Sequence, residues 1–130
     1  MMHRGFFKTA CILGALSVAL GAFGAHGLKN LLGAQQLVTF ETAVRYQFYH
    51  VFALLFTAIV YKEVRTKLVL AAGWCFIVGI VLFCGSLFMI TYVQALDVAG
   101  FRWLGPITPL GGLAFIAGWI LMLVAAIKKD

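Results

Sequence analysis

The chain has 130 residues, 64% of them hydrophobic and 11% charged, with a mean hydropathy of +1.05 and a formal net charge of +6. Soluble domains carry about 25% charged residues, so this chain lacks the charge to cover a water-facing surface. Its Lys and Arg residues sit between apolar stretches rather than on one face. That excludes a nucleic-acid binder and suits contact with anionic lipid headgroups.

Four apolar stretches follow one another at about 6–25, 43–61, 68–92 and 109–127. Each approaches the ~20 residues a helix needs to cross a hydrocarbon core of about 30 Å. The expected fold is therefore all-α, an integral membrane four-helix bundle, with residues 1–130 as a single transmembrane domain. The first stretch follows Arg4 and Lys8 and reaches Ala22-Phe23-Gly24, as a cleaved signal peptide would. Its apolar run exceeds the roughly 7–15 residues of such signals, so a retained span is expected. Leu28–Val38 puts Leu28, Leu31 and Leu32 on one side and Lys29, Asn30 and Gln35 elsewhere, the pattern of a short interfacial helix. Thr39 reads as the N-cap of span 2, with Glu41 in its first turn. The short turn Lys62–Lys67 makes spans 2 and 3 antiparallel neighbours. After the loop Val93–Thr108, Thr108 reads as the cap of span 4 and Pro109 as its first residue.

Four spans place both termini on one side. That side carries Arg4, Lys8, Lys62, Arg65, Lys67, Lys128 and Lys129, whereas the other carries Lys29, Arg45 and Arg102. The positive-inside rule then assigns both termini to the cytoplasm. Tyr46, Tyr61, Tyr92 and Trp103 fall near span boundaries, as interfacial aromatics do. Small residues recur at helical spacing: Ser17, Gly21 and Ala25; Ala72, Cys75, Gly79 and Ser86; Gly111, Ala114, Gly118 and Ala125. In lipid such stripes mark close helix contacts, and they leave little lumen within one subunit. Cys11, Cys75 and Cys84 have no CxxC or Cys/His spacing and read as small apolar residues.

The most polar segment near the membrane is Phe40–His50 (FETAVRYQFYH). At 100° per residue Tyr46, His50, Ala53, Thr57 and Tyr61 share one face, which should point into the bundle. His50 lies inside the span. It reads either as a functional ionisable group or as a neutral imidazole hydrogen-bonded to Tyr46, Ser86 or a backbone carbonyl. Glu41 and Arg45 stand at i, i+4 in the favourable order and are expected to form an interfacial ion pair. A His26/His50 haem or metal pair has no spacing signature behind it, and no cofactor is expected. No catalytic residue emerges: Ser17 and Ser86 lack a neighbouring base, and Glu41, Glu63, Asp97 and Asp130 are scattered, none deep in a span.

Gly21–Leu28 (GAFGAHGL), Phe40–His50, Phe83–Leu87 (FCGSL) and Gly105–Trp119 (GPITPLGGLAFIAGW) occur in this order along the chain. With these segments the chain resembles the YgdD-like family of small bacterial inner-membrane proteins, which has a eukaryotic relative. The resemblance implies a multi-pass protein of the inner (plasma) membrane, with no known biochemical activity to carry over and a link to envelope integrity in some members. On the predicted topology the four segments lie at the outer ends or outer halves of their spans. They are expected to converge on an outward-facing half-site lined by His26, Tyr46, His50, Ser86 and Thr108. That cluster is either a shallow pocket for a lipid headgroup or small solute, or a polar plug tying the helix ends together. The expected function is non-enzymatic, with membrane lipids, a second copy or another membrane protein as partner. The alternative is a small oligomeric transporter or channel.

Overall fold

Long uninterrupted helices are the only open-chain solution for backbone groups in hydrocarbon, and the apolar stretches take it. The computed structural model describes residues 1–128; Lys129, counted above with the cytoplasmic cations, and Asp130 lie outside the described residues. Helix α1 (Arg4–Phe23) runs into a π-helical turn, Gly24–Leu28. Helix α2 spans Ala34–Val60. The third span is α3 (Lys67–Gly79), a π-helical turn (Ile80–Cys84) and α4 (Gly85–Ala95) in one continuous rod. A 3₁₀ turn at Arg102–Leu104 leads into α5 (Ile107–Ile127). Four rods, Arg4–Leu28, Ala34–Val60, Lys67–Ala95 and Arg102–Ile127, are long and apolar enough to cross a membrane.

Three local expectations differ from the structure. No interfacial helix precedes span 2. Instead a turn follows Leu28 and α2 begins at Ala34, behind an extended Gly33 whose N–H donates to Gln36 Oε1 (3.0 Å). Thr39 is therefore inside the helix and its hydroxyl donates to the Gln35 carbonyl (3.0 Å). Thr108 is not a cap either, because α5 starts one residue earlier and the Thr108 hydroxyl faces Ser86. In both cases a hydroxyl finds an acceptor within or between helices, where it competes with a capping role.

The spans pack in a fixed order. Rod α1 lies against α2, α2 against α3 and α4, and α5 covers the other side of α3 and its π turn. Spans 2 and 3 are consequently the central pair. The first and last described residues lie at one end: the His3 N–H donates to the Ala58 carbonyl (3.0 Å), and Ala125 borders the same groove as Val60 and Val64. The opposite end holds the 29–33 turn and the 96–106 loop, and is called the loop end below.

The small-residue stripes receive aromatic rings. Phe115 packs over Gly79, Phe76 over Gly118 and Phe6 over Gly73, while Gly111 meets the Phe83 backbone itself. A methyl at Gly118 would sit 2.6 Å from Phe76 Cε1, well inside contact distance. Phe6, Phe76 and Phe115 belong to one buried cluster with Ala10, Ala43, Leu54, Ala72 and Cys84. Cys84 is buried as expected of a small apolar residue, but Cys11 lies on the exposed face. Large apolar side chains such as Ile12, Leu16, Phe52, Trp74, Ile116 and Leu123 point outward, which only a lipid environment tolerates at this density.

Candidate functional site

Four of the five half-site residues gather in one layer, and a separate cleft at the loop end holds none of the five. At the centre, His50 is 6% exposed and its ring stacks on Phe115, with centroids 3.4 Å apart and planes within 7°. Its Nδ1 lies 2.8 Å from the Tyr46 carbonyl, so this nitrogen carries the proton and donates. Tyr46 is 39% exposed, and its ring leans on Phe83 at 4.7 Å. Ser86 Oγ and Thr108 Oγ1 are 2.6 Å apart, and Ser86 also donates to the Phe83 carbonyl (2.9 Å). The Ser86–Thr108 bond joins spans 3 and 4, and Phe83 and Phe115 (5.6 Å) connect it to the Tyr46–His50 pair. His26 is not brought to this layer: it is exposed on the π turn after α1, with Nδ1 3.1 Å from the Ala22 carbonyl. Among the described residues no three His, Cys, Asp or Glu side chains gather as a metal site.

Gln47 was not singled out in the sequence, yet it is 2% exposed and donates to the Leu13 carbonyl (3.2 Å) across to α1. Ser17 Oγ donates to the same carbonyl (2.8 Å), so two side chains join the helical N–H on one acceptor. The signal was available: an amide in a membrane helix faces a neighbouring helix rather than lipid. Thr57 is likewise satisfied: its hydroxyl donates to the Ala53 carbonyl (2.8 Å), with Met122 Sδ 3.7 Å away as the weaker alternative acceptor. Among the described residues no buried side-chain nitrogen or oxygen lacks a partner.

The second place is a cleft of about 230 Å³ at the loop end between α1 and α2, lined by Gly21, Gly24, Ala25, Phe40, Glu41, Val44 and Arg45. Its α1 wall belongs to the GAFGAHGL segment and its α2 wall to FETAVRYQFYH, so the two motifs meet here. Phe40 fixes one corner by packing its ring on Gly24. Glu41 and Arg45 both border the cleft, but the expected ion pair between them does not form. Among the described residues the ion pair is Lys62–Glu63 (3.8 Å), at the other end. An exposed i, i+4 pair gains little Coulomb energy and loses side-chain entropy, so separate extended side chains compete with it.

Depth gives these charges meaning. The 27 residues of α2 make a helix about 40 Å long, some 10 Å more than the hydrocarbon core. Glu41 is the nearer of the two to the loop end of α2, and Arg45 sits one turn (about 6 Å) further along the helix.

Four antiparallel, membrane-length helices with apolar outer faces and a satisfied polar interior define a multi-pass membrane protein. The chain belongs to the family described as "Protein of unknown function (DUF423)", whose family model matches residues 20–112. It is 43% identical to the UPF0382 membrane protein YwdK of Bacillus subtilis over 126 residues, 93% of this chain and 98% of the relative. A UPF0382 membrane protein of Staphylococcus haemolyticus is 41% identical over 125 residues, 93% of this chain and 97% of the relative. The UPF0382 inner membrane protein YgdD of Escherichia coli is 38% identical over 131 residues, 98% of this chain and 93% of the relative. No solved structure matches the chain. It is a protein of the bacterial inner (plasma) membrane, in a family of uncharacterised activity.

Proposed function

We propose that the protein is a non-enzymatic membrane component that holds a phospholipid headgroup in the α1–α2 cleft and so supports the envelope. The observation behind this reading is the cleft itself, near the loop end of α2, where two opposite charges, unpaired among the described residues, border one space. A guanidinium in such a place is a strong phosphate ligand, because its charge-assisted bonds act in a partly dehydrated layer. The distribution of cations along the chain favours an outer-leaflet position for the cleft. In this reading the His50 and Ser86–Thr108 layer is the polar plug that ties spans 2, 3 and 4 together.

Native mass spectrometry of the full-length protein released from mixed phospholipid micelles tests the reading. Lipid should remain bound to the wild type, and Arg45→Gln should lower retention about ten-fold with the unfolding midpoint unchanged. Equal retention by the variant ends the proposal. Solute flux into protein-loaded liposomes that depends on Arg45 would replace it with transport.

A further inference from the structure

Resting on that reading, we infer that the cleft selects a headgroup carrying both a phosphate and a primary ammonium, namely phosphoethanolamine on its lipid. Glu41 and Arg45 line the same cleft yet are not within ion-pair distance of each other or, among the described residues, of any other charged partner. Both side chains are exposed and free to turn to a ligand, and two opposite charges on one cleft complement a ligand with the reverse pattern. Their order along the membrane normal is the decisive detail. Arg45 is the deeper and Glu41 the nearer to water, one helical turn (about 6 Å) apart. In a phospholipid the phosphate adjoins the glycerol and is the deeper group, and the amine lies beyond a two-carbon tether toward water. Phosphate therefore meets Arg45 and ammonium meets Glu41 without either chain bending across the other.

The same geometry selects against other headgroups. A phosphoglycerol group brings no cation, so Glu41 would face added negative charge. Phosphocholine brings a cation without N–H groups, so the carboxylate forgoes its charge-assisted hydrogen bonds. The α1 side of the cleft carries only the small residues Gly21 and Ala25, with Gly24 lying under the Phe40 ring, so no large side chain from that side crowds a compact –NH₃⁺ headgroup.

Full-length wild type, Glu41→Gln and Arg45→Gln are each equilibrated with dodecyl maltoside micelles containing phosphatidylethanolamine, phosphatidylcholine or phosphatidylglycerol, and bound lipid is counted by native mass spectrometry. The wild type should retain phosphatidylethanolamine about ten-fold better than the other two. Glu41→Gln should remove that preference, and Arg45→Gln should weaken all three, with unfolding midpoints unchanged. Equal retention of the three lipids by the wild type, or an intact preference in Glu41→Gln, overturns the amine selectivity. The headgroup reading then still stands if Arg45→Gln weakens retention. If Arg45→Gln changes nothing, both fail. Soluble glycerophosphoethanolamine supplies the last arm: displacement of the lipid at equal concentration would assign the site to a soluble phosphoamine and overturn the lipid assignment.

Discussion

Glycine does opposite work in the two halves of this bundle. Between spans 3 and 4, Gly79 and Gly118 are each covered by a ring from the facing helix, and Gly111 meets the Phe83 backbone. Between spans 1 and 2 at the loop end, Gly21 faces only Val44 at an ordinary distance, and a cleft with two charged side chains remains beside it. A small residue in a membrane helix thus either admits a neighbour or leaves room for a guest. The filled notches, Gly24 under the Phe40 ring among them, belong to stability, and the open one at Gly21 borders the proposed binding cleft.

Four substitutions sharpen or break that contrast, here in order of expected size. Gly111→Ala drives a methyl into the Phe83 backbone, which cannot rotate away, and should cost about 3 kcal/mol in detergent unfolding measurements. His50→Phe keeps an aromatic ring against Phe115 but loses the bond to the Tyr46 carbonyl, for about 1 kcal/mol. Any lipid retention by His50→Phe should follow the folded fraction alone, since His50 lies outside the cleft lining. Gln47→Leu removes the bond to Leu13 and leaves that carbonyl its Ser17 partner, for about 0.6 kcal/mol by equilibrium unfolding. Gly21→Ala should stay within about 0.5 kcal/mol of wild type, because the added methyl meets Val44 at normal contact distance and alanine favours the helix. If Gly21→Ala destabilises as much as Gly111→Ala, the distinction between filled and open notches collapses.

The spans and the inner small-residue stripes were legible because a bilayer imposes length and apolarity on every crossing helix. Gly79, Gly111, Gly118 and Ala125 are all buried, as their spacing requires. Ala25 is exposed, because the end of α1 has cleft rather than helix beside it. The start of span 2 was not legible from hydropathy: Gln35, Gln36 and Glu41 lower it, while the helix simply continues out of the hydrocarbon. Thr39 and Thr108 were read as caps because a hydroxyl before an apolar run usually is one, and nothing local reveals the acceptor that competes for it. Of the expected half-site, His50 and its Tyr46 acceptor were readable from the i, i+4 spacing; outside it, so were Glu41 and Arg45 as neighbours. That these two charges stay apart was not, since an exposed pair is nearly balanced between closed and open forms. His26 failed to join the others because the π turn leaves its ring on the outside, and such turns have no local sequence code.

The π turn at Ile80–Cys84 has a consequence for how span 3 tolerates change. A π turn accommodates one residue beyond α-helical register, equivalent to a rotation of roughly 100° for everything downstream. Span 3 is thus two half-rods in different phase: one sets Phe76 and Gly79 against α5, and the other sets Ser86 opposite Thr108. Straightening 80–84 into plain α-helix at unchanged length would swing Ser86 and Thr91 by roughly 100° toward the acyl chains. Removing one residue from the turn instead shortens the rod to plain α-helix and keeps both hydroxyls facing inward, so span 3 should tolerate a deletion there better than an added residue.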